Sequence, residues 1–387
     1  MNKNFTTIAD FIRTTFKKDT EFIALHEPIF KGNEIKYSND AIESTFVSSV
    51  GKYVDKFEED MAKYTGAAKA VACVNGTSAL HLALLLGGVM SGDEVITQDL
   101  TFIATTNAIR YCNAEPIFLD IDRNNLGLSA DAVNTWLEEN VEMVEKNGIR
   151  NAVNKTTGAI VRACVPMHTF GHPCDMDGIM EACNKYGIKV IEDAAESMGS
   201  YYKGKHTGTI GFIGAVSFNG NKIITTGGGG VLLFNDVELA ARAKHLSTQA
   251  KVPHAWEYNH DETGYNYRMP NINAALGVAQ LEELDSFVAS KRKLSEIYMD
   301  FFRTMDIEFI TEPHNSSSNY WLNAVLLKNK EERNSFLDFM NAEKIMTRPL
   351  WEPMHTLPMH KNAQHGDLKN SKYIAERLVN IPSSAII

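Results

Sequence analysis

VIEDAAESMG at residues 190–199 and SFNGNKIITTGGGG at residues 217–230 are the two stretches from which the fold can be read. The apolar run at 189–191 ends in Glu192 and Asp193. A buried strand of this kind carries a carboxylate to its C-terminal tip, where open α/β sheets bind their ligands. Residues 215–218 read as a second short strand, and Lys222 follows in a polar loop closed by four glycines. An amine held partly out of water in such a loop is a nucleophile able to form a Schiff base.

An acid at a strand tip and a loop lysine together suit pyridoxal 5'-phosphate. That cofactor needs an amine to carry it and an anion opposite its pyridine nitrogen. Taken alone, Asp193 reads more readily as a capping or turn aspartate and Lys222 as a solvated loop lysine, so the rest of the chain has to decide.

The 387 residues allow two domains. With 44% hydrophobic and 22% charged residues, the chain has the composition of an ordinary globular protein. A net charge of -10 argues against nonspecific nucleic-acid binding, which needs clustered Lys and Arg. The N-terminus lacks a signal-peptide core and no apolar run reaches membrane-spanning length. Five cysteines without paired spacing suggest reduced thiols in a cytoplasm.

Along the chain, helical spacing of apolar residues predicts a helix over 4–20. A turn-rich segment at 28–37 leads to a helix from Asp40, and another helix covers 57–64. Residues 70–74 read as a strand, and Asn75, Gly76, Thr77 and Ser78 as a turn opening the helix at 79–86. That turn is either a phosphate site or a plain N-cap, since both use the same groups. Strands are expected at 94–97, 116–120 and 160–166, with helices through Tyr111, after the turn at 122–125 through Trp136 to Lys146, and over 179–186. The alternation implies a mostly parallel sheet. Phe102 is placed either to stack on a flat ring or to fill the core.

His168, His172 and Cys174 lie close together, but Gly171 and Pro173 break the helix that would align the histidines, and no fourth ligand has suitable spacing. No metal site is expected; His168, at a strand end, is a candidate for lining the cofactor pocket. The glycines at 208, 211, 214 and 227–230 lack the strand, Gly-x-Gly-x-x-Gly, helix order of a dinucleotide fold. A helix at 237–246, an irregular polar segment at 247–261 and a long helix from Asn273 past Ala289 lead into an α+β cap with a strand at 320–327 and a helix at 331–343. The expected division is an N-terminal helix at 1–20, a large cofactor-binding domain at 21–250 and a small domain at 251–387.

On Asn75 to Leu80, Asp99 to Phe102, Glu192 to Glu196, Ser217 to Lys222 and Gly264 to Arg268, the chain resembles the DegT group of sugar-nucleotide aminotransferases, fold-type I pyridoxal-phosphate enzymes. The resemblance runs from Gly32 to Ser384. It implies a mostly parallel mixed sheet between helices plus a smaller α+β domain. It also implies that Lys222 forms the Schiff base, Asp193 pairs with the pyridine nitrogen and Phe102 stacks on the ring. Gly76, Thr77 and Ser217 would hold the phosphate, and Ser78 adds a candidate hydroxyl donor from the turn itself. Asn266 would reach the phosphate in a neighbouring subunit, which implies a homodimer with shared sites. Glu196 stands near the ring hydroxyl, where many relatives have Gln or His, and Gly228 stands where the family usually has Glu.

Some relatives replace the lysine by histidine and dehydrate sugars at C3; this chain keeps Lys222, which favours transamination with L-glutamate as donor. The segments 166–175 and 136–157 are similar to the subset acting on UDP-linked 4-keto-6-deoxy-N-acetylhexosamines, in bacillosamine or legionaminic acid routes. His168, Arg268 and Lys251 are candidate substrate contacts; Arg268 and Lys251 read equally as structural ion pairs. The rivals are a pyridoxal-dependent sugar dehydratase and a non-catalytic regulator, for which no DNA-reading helix pair or basic face is evident.

Overall fold

The computed structural model describes residues 3–146 and 148–386. The parts of the expected N-terminal helix domain at Met1 and Asn2, and of the 136–157 segment at Asn147, lie outside the described residues. Helix α1 (Lys3–Phe16) is shorter than the expected 4–20, because Lys17 turns to φ +53°. Its apolar face, Phe5, Ile8 and Ile12, packs against Leu294, Tyr298 and Phe336 from the C-terminal third of the chain.

Helix α2 (Glu34–Glu43) begins six residues before the expected Asp40. Glu34 explains the early start: its carboxylate accepts the Gly32 N–H at 2.8 Å and a proton of Gln280 at 2.7 Å. Helix α3 (Lys52–Thr65) likewise starts ahead of the expected Phe57. Asn271 Oδ1, more than 200 positions away, accepts the Tyr53 and Val54 N–H groups, an N-cap that local sequence cannot reveal.

The main sheet is built from β1 (Lys69–Cys73), α4 (Gly76–Leu86), β2 (Glu94–Gln98), α5 (Ile103–Tyr111), β3 (Glu115–Leu119) and α6 (Ala130–Asn140). A hairpin of β4 (Val141–Lys146) and β5 (Ile149–Asn154) follows, then β6 (Val161–Val165), α7 (Met176–Lys185) and β7 (Lys189–Asp193). After the two-residue strands β8 (Tyr201–Tyr202) and β9 (Lys205–His206) come β10 (Ile213–Ser217), β11 (Gly230–Phe234) and α8 (Val237–Ser247). The seven-stranded order is β1-β11-β10-β7-β6-β2-β3, parallel except for β11.

Both faces of the sheet are covered, as parallel sheets require. Val95, Ala163 and Ile191 face α4, α5 and α8, while their neighbours Ile96, Cys164 and Val190 face α6 and α7. The strand tips therefore share one edge, with Asp193 and Ser217 on it. The helix expected through Trp136 to Lys146 is corrected at its end: it runs over Ala130–Asn140, and residues 141–146 pair with Ile149–Asn154 along their whole length. Two β-branched residues, Val141 and Val144, suit that pairing better than a helix interior.

The expected long helix from Asn273 is two helices, α9 (Asn271–Glu282) and α10 (Leu284–Phe302), broken at Glu283. Helix α9 packs on α2 and α3, and α10 leads to a second sheet. That sheet has the order β12 (Glu308–Phe309), β14 (Asn323–Leu326), β16 (Leu378–Ile381), β15 (Arg348–Pro349), while β13 (Ser316–Ser317) pairs with β8. Helices α11 (Lys330–Ala342) and α12 (Lys369–Ala375) complete it. The strand expected from Tyr320 starts only at Asn323, since Tyr320 takes φ +47°. Among the described residues no helix is long and apolar enough to cross a membrane.

Candidate functional site

Strand register decides which side chains meet at the sheet edge. Ala215 of β10 lies beside Asp193 of β7, and both Ser217 and Cys73 lie opposite Gly230 of β11. A Cβ on Gly230 would fall 2.5 Å from the Asn75 carbonyl oxygen, so only glycine lets the turn after β1 settle there. A Cβ on Gly76 would fall 2.7 Å from Ser217 Cβ, so the start of α4 rests directly on that serine. Asn75 caps α4 by accepting the Ser78 N–H at 2.8 Å. The first N–H groups of a helix have no intrahelical partner, and together with the dipole they form an anion seat.

Beside that seat is a cavity of about 340 Å³, within the usual range for small-molecule sites of roughly 300–1,000 Å³. Gly76, Thr77, Phe102, Asp193, Glu196, Ser217 and Lys222 all line it. Asp193 is 5% exposed; its Oδ2 accepts the Thr105 hydroxyl at 2.7 Å and its Oδ1 the Ala195 N–H at 3.1 Å. Burial pushes its pKa up, while Thr105, Ala195 and Lys222 pull the other way.

Lys222 Nζ stands 3.4 Å from Glu196 Oε1 and 4.0 Å from the centre of the Trp321 ring. Burial raises the Glu196 pKa against the pull of Lys222. Glu196 is aimed by the Phe170 N–H, which reaches Oε2 at 2.9 Å. To do so Phe170 sits in the left-handed region at φ +57°, a costly conformation for a bulky residue. The Trp321 indole N–H donates to the Asn221 carbonyl at 2.7 Å and so holds the turn that carries Lys222.

His168 is corrected: it does not line this cavity. Its ring is fully buried and turned into the sheet, where Nε2 meets Glu192 Oε2 at 3.0 Å. Burial disfavours a charged ring, Cys174 and Glu192 favour one, and the Cys174 N–H donated to Nδ1 at 3.1 Å decides for the neutral Nε2–H form. Glu192 also accepts the Gly208, Ile210 and Gly211 N–H groups, so it is a fully satisfied buried carboxylate. His172 packs edge-on against Tyr320 instead of joining its neighbours as a ligand.

Ser78 lies next to the cavity with its N–H turned to Asn75. Lys251 and Arg268 line a different, open depression with Thr248 and His254. Asn266 is exposed, its Oδ1 accepting from Arg268 at 3.3 Å. Within one chain these three do not reach the cavity. At Gly228 a Cβ would meet nothing within 4 Å, so its departure from the usual Glu is sterically neutral.

Sequence reasoning missed Thr105, Met167, Trp321 and Trp351. Thr101 and Thr105 at i,i+4 beside Phe102 were a usable signal for the first. The tryptophans arrive from the C-terminal third of the chain, where residues 320–327 and 347–351 read as ordinary strand and loop.

Comparison with known proteins agrees with this geometry. A model described as the DegT/DnrJ/EryC1/StrS aminotransferase family matches residues 28–386. GDP-perosamine synthase of Escherichia coli O157:H7 is 40% identical over 372 residues, covering 94% of this chain and 93% of that protein. EpsN of Bacillus subtilis strain 168, provisionally named a pyridoxal phosphate-dependent aminotransferase, is 40% identical over 338 residues, covering 87% and 83%. The crystal structure of the aminotransferase TlmJ from Streptoalloteichus hindustanus superposes with a TM-score of 0.84 at 27% identity, over 94% of each chain.

Proposed function

This chain belongs to the DegT/DnrJ/EryC1/StrS aminotransferase family, and from that premise we propose that it moves the amino group of L-glutamate to the 4-keto carbon of a UDP-linked 4-keto-6-deoxy-N-acetylhexosamine, giving a 4-amino-4,6-dideoxy sugar. That it is a fold-type I, pyridoxal-phosphate-dependent sugar aminotransferase comes with the family. The observation that carries the reading is the convergence of Lys222, Asp193 and the start of α4 on one cavity.

The residues present fit pyridoxal phosphate. The seat at Gly76, Thr77 and Ser217, free of any Cβ at Gly76, suits its phosphate. Asp193, buried and held by two donors, suits its ring nitrogen. Lys222 Nζ is the amine that would hold it, and Phe102 and Trp351, both lining the cavity, offer faces to its ring. When bound, the cofactor supplies a carbon that takes up the amino group and a ring that draws electrons from the breaking bond. The chain's own contributions are binding, orientation and proton transfer. Lys222 Nζ is the base that lifts the proton from the donor's α-carbon, and Glu196 Oε1 at 3.4 Å is the nearest acid to share it. The apolar walls, Leu80, Met167 and the two tryptophans, limit water.

Asn266, Lys251 and Arg268 stand outside the cavity of their own chain, which supports a homodimer in which they serve the site of the partner subunit. The five free, buried cysteines support a reducing cytoplasm.

The nucleotide rests on resemblance. Segments 136–157 and 166–175 favour UDP and an N-acetylhexosamine, yet of these residues only Met167 reaches the cavity. The relative named GDP-perosamine synthase favours a GDP-linked sugar as the second reading. Loaded enzyme given glutamate and either UDP-4-keto-6-deoxy-N-acetylglucosamine or GDP-4-keto-6-deoxymannose distinguishes them. Release of 2-oxoglutarate with an amino sugar from the first supports UDP. Turnover of the second alone overturns UDP, and release of water without an amino sugar overturns transamination.

A further inference from the structure

The carboxylate of Asp193 is oriented from behind by two hydroxyls that do not line the cavity. Thr105 sits in the first turn of α5, fully buried, with Oγ1 2.7 Å from Asp193 Oδ2. An ionised carboxylate only accepts, so the single proton of Thr105 goes to Asp193. Thr105 Oγ1 is then left as an acceptor. Thr101 Oγ1, also fully buried, is 2.8 Å from it and can supply the second proton. Thr101 Oγ1 also lies 3.1 Å from Met167 Sδ, a weaker acceptor; with its proton on Thr105 the hydroxyls line up in one direction, Thr101 to Thr105 to Asp193.

This arrangement answers a physical problem. Asp193 lies where burial opposes its charge, and it shares the cavity with a second carboxylate, Glu196. Lys222 is the cation that faces both, but its amine is the group committed to the cofactor in the proposed reading. A hydrogen bond from a buried neutral hydroxyl supports the anion without adding a charge that would compete with a protonated ring nitrogen.

We propose that Thr105, backed by Thr101, is a positioning residue that keeps Asp193 ionised and aimed at the cofactor's ring nitrogen. The proposal rests on the reading of Asp193 as the partner of that nitrogen. It concerns which groups hold the carboxylate, and neither threonine touches the reacting atoms.

The test uses full-length enzyme loaded with pyridoxal phosphate labelled with 15N in the ring. Thr105→Val removes the hydroxyl at nearly constant shape, Thr105→Ser restores it, and Thr101→Val removes only the second donor. Lys222, Glu196 and His168 are unchanged in all three. Nitrogen shifts recorded between pH 6 and 9 are expected to show a protonated ring nitrogen in wild type and Thr105→Ser. In Thr105→Val the proton should be lost within that range, and in Thr101→Val the change should have the same direction and smaller size. The kcat of Thr105→Val should fall roughly tenfold or more, the worth of one hydrogen bond to a charged group, with KM for both substrates within about threefold. Wild-type nitrogen shifts and kcat in Thr105→Val, or a Thr105→Ser variant as impaired as the valine, would overturn the proposal. Should Thr105→Val fail to fold, the nitrogen shifts of Thr101→Val and Thr105→Ser decide in its place: a shifted Thr101→Val beside a wild-type Thr105→Ser supports the proposal, and any other pair overturns it. Asp193→Asn separates the two levels: if it leaves the ring nitrogen protonated as in wild type, the reading of Asp193 fails, whereas an altered Asp193→Asn beside an unaltered Thr105→Val sinks only the role of the threonines.

Discussion

Lys222 Nζ and Glu196 Oε1 stand 3.4 Å apart in a cavity whose other buried carboxylate is Asp193. One cation thus serves two acids that burial pushes toward their neutral forms. For Glu196 this has a consequence in the protein free of cofactor. A folded-state pKa above the unfolded value adds stability that is complete below about pH 4.3 and is lost as pH rises through the folded pKa. Glu196→Gln cannot titrate, so its melting temperature relative to wild type should become more favourable from about pH 4.5 to pH 7. Calorimetry of both proteins checks this; a difference that is flat or falls with pH contradicts it.

Gly76 rests on Ser217 with no room for a methyl group. In Gly76→Ala the new Cβ would lie 2.7 Å from Ser217 Cβ and 3.0 Å from its Oγ, both in the anion seat. Overpacking of this kind costs about 1–3 kcal/mol, and moving Ser217 should weaken cofactor binding by about tenfold or more. Equilibrium dialysis of the cofactor measures it. Gly228→Ala, with nothing within 4 Å of the new Cβ, is the control and should stay within about 0.5 kcal/mol of wild type. Equal effects at the two glycines would contradict the assignment.

Lys291, fully buried on α10, donates to the Ser383 carbonyl. Burial holds its pKa well below the usual lysine range. Between that lowered value and about 10.4 the unfolded chain binds a proton that the folded chain does not, so stability rises with pH there. Lys291→Met fills similar volume without a charge. It should be at least as stable as wild type at pH 7 and should lose part of the gain that wild type shows toward pH 9.5. Urea titrations at the two pH values test this, and a variant markedly less stable at pH 7 contradicts it.

What could be read in the sequence follows from how local the cause was. The strand ending in Asp193, the turn at Asn75 and the loop lysine are written in contiguous residues, so the site's two chemical groups and their shared edge were legible. Helices α2 and α3 start early because Gln280 and Asn271 support their first turns from the far side of the chain. The hairpin at 141–154 exists because its two arms pair, which outweighs the helical pattern running into it from Trp136. His168 does stand at a strand end beside Asp193, but β-strand alternation turns its ring to the opposite side, onto Glu192. Trp321 and Trp351 carry no local mark of a site, because they lie far along the chain from Asp193 and Lys222 and meet them only in the folded structure.

The identity of the lysine that carries the cofactor is the most direct test. Wild-type protein incubated with pyridoxal phosphate, reduced with borohydride and digested should yield one modified peptide, with a phosphopyridoxyl group, the cofactor less water plus two hydrogens, on Lys222. Lys222→Ala should fold as wild type, retain no cofactor after reduction and lose turnover by about 10³-fold or more. Modification of a different lysine, or a Lys222→Ala protein that still turns over, would contradict the account.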